Sequence, residues 1–118
     1  MKLVFVYNAD SGRLNSYMDS IHKVVSPETY DCNLCAITYG AFSEDKLWKA
    51  FRQGSSHEMT FLHRDEFQKK FADVNEEFPA VYSEENGSLN RFISKGELDA
   101  LTSAEDLIEE IMRRSARD

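Results

Sequence analysis

Cys32 and Cys35 are the only cysteines in the chain, and two residues separate them. At that spacing two thiols can close on each other or grip one metal ion. In exchange chemistry Cys32 would attack as the thiolate and Cys35 would resolve the mixed disulfide, since the short spacer lets the sulfurs meet. The sequence neighbours Glu28 and Asp31 would raise a cysteine pKa, whereas His22 and Lys23, further upstream, are the nearest groups able to lower one. A zinc-thiolate site would need more ligands than two thiols. Cys32, Cys35 and His22 form the candidate set, with His57, His63 or a carboxylate to complete it, and there is no second CxxC. His22 beside Ile21 also suits a satisfied histidine at the margin of an apolar helix face. Both cysteines can equally be small buried apolar side chains with no chemistry. The redox, zinc and inert readings therefore stand side by side.

A second candidate locus has no sulfur. Asn8, Asp10, Ser11 and Gly12 follow the apolar run Leu3 to Tyr7, at the place where a central strand of an open α/β sheet hands over to a helix. Such loops bind anions and small ligands through backbone N–H groups. Neither G-x-x-x-x-G-K-[ST] nor G-x-G-x-x-G occurs, so nucleotide hydrolysis lacks its phosphate cradle and its lysine. Helix capping by Asp10 or Ser11 and a turn at Gly12 explain the same residues without a ligand.

Composition narrows the partners. The 118 residues, 42% of them hydrophobic, suffice for one core, so residues 1–118 are read as a single domain. Fourteen basic against twenty-one acidic residues give a formal charge of −7, a field that repels nucleic acid and anionic lipid. The run Leu3 to Tyr7 is too short for the apolar part of a secretory signal, and no stretch nears the ~20 apolar residues of a membrane span. The expectation is a cytoplasmic protein, acidic, with a protein or small thiol as partner and neither nucleic acid nor membrane. In a reducing compartment a CxxC pair is more apt to be redox-active or metal-binding than a permanent staple.

The elements that must position these residues follow from pattern. Leu3 to Tyr7 reads as a strand buried on both faces. Leu14, Tyr17, Met18, Ile21, Val24 and Val25 share one helix face that ends before Ser26-Pro27. Leu34 to Tyr39 is short and apolar, either a second strand or an ordered loop. Ser43 is expected to cap a helix carrying Glu44 and Asp45 in its first turn and Leu47, Trp48 and Phe51 on its apolar side, stopping at Gly54. Met59 to Leu62 is a strand candidate, and Phe67 with Phe71 edges a short helix. Phe78 to Tyr82, Asn86-Gly87 and Leu89 to Ile93 predict a β-hairpin, because Asn-Gly supplies the positive φ angles of a tight turn. Thr102 and Glu105 read as a capping box for a last helix burying Leu107, Ile108, Ile111 and Met112, with Arg113, Arg114 and Arg117 at its end.

This order implies an α/β fold: a mixed sheet of four to five strands with helices on both faces and a C-terminal β-hairpin plus helix. The last third, from Phe78-Pro79-Ala80-Val81-Tyr82 through Asn86-Gly87 to Ala104–Arg114, resembles the C-terminal half of the thioredoxin fold. Leu3 to Tyr7 looks like that superfamily's central strand, and the likeness extends to small bacterial thioredoxin-like proteins of unassigned role. The resemblance implies a cis peptide bond before Pro79, and a binding module on this fold would use the surface around Asn8, Asp10, Ser11 and Gly12, Tyr39 to Ser43, and Pro79. Thioredoxins carry their CxxC directly after the central strand, where this chain has Asn8-Ala9-Asp10-Ser11-Gly12. An alternative register makes Leu34 to Tyr39 the central strand, and there too the dithiol misses the family position. The family's activity is not carried over. What remains is a dithiol displaced from its usual place, or a noncatalytic binding module that kept the fold.

Overall fold

In a computed structural model of the chain, residues 1–8, 32–39 and 43–116 are described. The centre is β1 (Lys2–Tyr7), whose Leu3, Val4, Phe5 and Val6 are all buried, so both faces of this strand are covered. It pairs in parallel with β2 (Glu58–His63) and antiparallel with β3 (Ala80–Glu85), and β3 pairs antiparallel with β4 (Ser88–Ile93). The strand order is β2-β1-β3-β4. The helices are α1 (Asn33–Thr38), α2 (Lys46–Gly54), α3 (Arg64–Lys70), α4 (Lys95–Asp99) and α5 (Ala104–Ser115). Among the described residues this is the expected thioredoxin-like α/β arrangement, with four strands and helices on both faces.

The two-residue period of β1 divides the core. Leu3 and Phe5 point to the face covered by α1, α2 and α5, where they meet Trp48, Val81, Ile93, Leu107 and Ile111. Val4 and Val6 point the other way, to Phe67 of α3, Phe78, Ala80 and Tyr82. Phe5 stacks on Phe61 at 4.9 Å and meets Trp48 edge-on at 5.6 Å, while Phe67 stacks on Tyr82 at 5.1 Å. Full burial of one such side chain contributes about 1.5–3 kcal/mol, so these rings, more than helix propensity, hold the helices to the sheet.

The hairpin turns at Asn86 (φ 54°) and Gly87 (φ 82°), the two positive angles the Asn-Gly pair implies, and the Phe78–Pro79 peptide is cis. Several expectations need correction. Leu34 to Tyr39 is neither strand nor loop: α1 is helical, with Leu34 and Ile37 three apart on its buried side, and the alternative register that made this run the central strand falls with it. Asp45, not Ser43, caps α2 by accepting the Trp48 N–H at 3.0 Å, and Glu44 leaves the first turn to pair with Arg52. The last helix is capped by Ser103, whose hydroxyl accepts the Asp106 N–H. Thr102 binds the Asp106 carboxylate instead of forming a box with Glu105, and Met112 is exposed. The helix expected over Leu14 to Val25 lies outside the described residues, as does Arg117.

Candidate functional site

α1 is too short to persist alone. It is fastened at both ends. At its start Asn33 donates both side-chain N–H groups, to the Leu98 carbonyl at 2.6 Å and the Leu101 carbonyl at 2.9 Å, which ties it to α4 and the α4–α5 connection. At its end the Tyr39 N–H closes onto the Cys35 carbonyl at 2.9 Å, and the Asp45 N–H reaches the Thr38 carbonyl at 2.7 Å. Thr38, buried, returns its hydroxyl to the Leu34 carbonyl at 2.6 Å. The Tyr7 hydroxyl, at the carboxyl end of β1, shares hydrogen bonds with the Thr38 and Tyr39 side chains. Burial pushes the Tyr7 phenol well above its ordinary value, and burial followed by the Glu44 charge pushes Tyr39 up as well. Both therefore act as neutral hydrogen-bonding groups rather than as bases. Glu44 is held by a two-pronged pair with Arg52, at 2.8 and 2.9 Å.

Cys32 is the N-cap of α1 and is joined to Cys35 in a disulfide with the Cα atoms 5.3 Å apart. The Cys35 N–H donates to Cys32 Sγ at 3.3 Å. In a reduced pair that contact would favour a thiolate on Cys32, because a donor satisfies negative charge on sulfur. Cys32 is only 2% exposed and Cys35 9%, and both belong to the core on the Leu3 and Phe5 side of the sheet. The CxxC spacing thus brings its two sulfurs together, in the dry part of the molecule.

Comparison with known proteins adds no relative: no protein-family model, curated protein or solved structure matches the chain.

The second locus is wet. Asn8, Arg64, Gln68, Phe78 and Lys95 line a cleft of about 400 Å³ where β1 ends, and Arg64 donates to Asn8 Oδ1 at 3.0 Å. Phe78 places the cis bond of Pro79 beside this cleft. A second cleft of about 490 Å³ shares Glu76, Glu77 and Lys95 with it. Glu76 accepts the Tyr82 hydroxyl at 2.9 Å and pairs with Arg91, which fixes the segment before Pro79 against β4. Asn8 and Pro79 are thus brought to the same end of the two central strands, β1 and β3. Asp10, Ser11, Gly12 and the zinc candidate His22 lie outside the described residues.

Among the described residues no three His, Cys, Asp or Glu side chains come together as a metal site. A disulfide offers zinc no thiolate, so the metal reading needs the reduced pair. Asn33 was not singled out by sequence reasoning. Its signal is faint: an amide between two cysteines, with no indication that it would reach Leu98 and Leu101, more than sixty positions away.

Proposed function

We propose that Cys32 and Cys35 form a reversible thiol-disulfide couple, displaced from the usual thioredoxin position, in a small thioredoxin-like domain akin to bacterial ones of unassigned role. The observation that carries this reading is the joined pair at a helix N-cap, with a Cα separation inside the ~4.4–6.8 Å that a disulfide tolerates. For reduction, a thiolate of a low-molecular-weight thiol or of a protein attacks one sulfur. The S–S bond breaks and the other cysteine leaves as a thiolate. A second external thiol then displaces the mixed disulfide, so two external thiols become one disulfide and the pair gains two electrons and two protons. In the oxidising direction Cys32, favoured as thiolate by the Cys35 N–H, attacks a partner disulfide and Cys35 resolves the intermediate. A reducing cytoplasm would supply the electrons. No helix among the described residues is long and apolar enough to cross a membrane, which fits such a setting without specifying it.

The test is turnover of a small disulfide substrate with limiting thiol reductant. The native chain is expected to accelerate the exchange, and the variant with Cys32→Ala and Cys35→Ala to lose all acceleration while remaining folded. Equal rates from both would overturn the reading, and zinc copurifying with a reduced pair would replace it with the metal site.

The cleft beside Asn8 and Phe78 supports a second reading, a noncatalytic binding module using the end of the central strands near Pro79. There the cysteine double variant would capture its ligand unchanged, and Arg64→Ala would weaken it.

A further inference from the structure

We infer that Asn33 is the positioning residue that keeps the Cys32–Cys35 bond shut: its side-chain amide clasps α1 to Leu98 and Leu101, and external thiols reach the sulfurs only when that clasp lets go. This rests on the exchange reading above and adds to it what controls access. Thiol-disulfide exchange needs the attacking sulfur roughly in line with the bond it breaks, so at least one cysteine sulfur must be reachable. Cys32 and Cys35 are 2% and 9% exposed and packed in the core with Leu98 and Leu107, which leaves little room for a partner's thiolate to approach in the closed form.

The contacts of α1 indicate which end opens. Its C-terminal end is joined to the rest of the domain by the Asp45 N–H on the Thr38 carbonyl and by the hydroxyl that Tyr7 shares with Thr38 and Tyr39. Its N-terminal end, where both sulfurs sit, is joined to α4 and the α4–α5 connection by the two bonds of the Asn33 amide, 2.6 and 2.9 Å long, beside the burial of Leu34. Asn33 lies between the cysteines, so releasing its side chain frees the turn that carries them. Hinging at the Thr38 end would then swing the disulfide away from Leu98 without unfolding the sheet, a local opening of the kind small elements undergo.

The experiment follows reduction of the full-length oxidised protein by dithiothreitol at increasing concentration, read as alkylated mass. The wild-type rate is expected to level off at a plateau set by opening. Asn33→Ala should raise that plateau roughly ten- to thirty-fold, the change in opening expected when two hydrogen bonds are lost. Asn33→Asp, close in size but lacking both donors, should do the same and serves if the alanine variant does not fold. Asn33→Gln, which keeps the amide, should return part of the slow rate. Asp45→Ala is the control for plain destabilisation, since it removes the cap of α2 without touching the clasp. It should leave the plateau where it was. Wild-type plateaus in both donor-less variants, or equal acceleration by Asp45→Ala, would overturn the clasp. A protein whose reduction depends on Asn33 but which never passes electrons to a disulfide substrate would retain the clasp and lose the proposed function. Turnover with rates indifferent to Asn33 would do the reverse.

Discussion

The two candidate loci differ in what each has and what each lacks. The pair Cys32–Cys35 has the reactive atoms but is dry, sealed into the core on the α1, α2 and α5 side of the sheet. The cleft at Asn8, Arg64 and Phe78 has open volume and charge at the end of the central strand, with no cysteine among the residues lining it. A protein that joins reactivity and access in one place can work without moving. Here they are separate, so sulfur chemistry requires an opening step and ligand capture at the cleft does not. Substitutions on the dry side should therefore show mainly in stability or in exchange kinetics, and those at the cleft mainly in binding.

The largest expected effect breaks the dry side outright. Trp48 is fully buried, ringed by Phe5, Phe51 and Phe61, with no acceptor for its indole N–H among the described residues. Trp48→Ala should cost ~3–5 kcal/mol in denaturant unfolding. Trp48→Phe, which forfeits no hydrogen bond, should cost far less. Next comes the disulfide: the Cys32→Ala, Cys35→Ala double variant should lose about 2 kcal/mol relative to the oxidised protein, because so short a loop restrains the unfolded chain only modestly. A loss much larger than that would mean the cysteines matter chiefly as packing.

How far these loci can be read from the sequence follows from the range of the forces involved. The hairpin is legible because Asn86-Gly87 fixes its turn through two backbone angles, a purely local requirement. β1 is legible because an unbroken apolar run can be covered only from both sides. The Cys32–Cys35 contact follows from spacing. α1 is not legible, since six residues carry too little periodicity to separate helix from strand, and what fixes it comes largely from Leu98, Leu101 and Tyr7, remote in sequence, with Asp45 adding a tie just beyond its end. α4 is a different kind of miss. Its Ser94 and Glu97 form a capping box of the sort sequence reading can find, but the helix holds only one buried residue, Leu98, and so shows no apolar stripe.

A smaller effect sharpens the comparison through pH. The Glu97 carboxyl is pulled down to about 2 by the Ser94 N–H and by Arg114. A carboxyl whose pKa is lowered by folding stabilises the protein fully above its unfolded value near 4.5 and loses that contribution as pH falls toward 2. Because Glu97 is half exposed, solvent screening limits the effect to about 0.5–1 kcal/mol. Glu97→Gln keeps a capping group and removes the charge, so it should flatten the acid limb of stability between those pH values and leave the neutral plateau only slightly lower. The smallest effect is expected at the wet locus, where Arg64→Ala should change stability by no more than ~0.5 kcal/mol.

The central claim is that Cys32 and Cys35 exchange electrons as a pair in the folded protein. The direct measurement is a redox titration of the native chain in buffers of fixed thiol-to-disulfide ratio, with alkylation and intact mass as the readout. One reversible transition is expected, both cysteines passing together from unlabelled to doubly labelled. Two thiols that stay reduced across the whole range, or that react only after the chain is denatured, would contradict it.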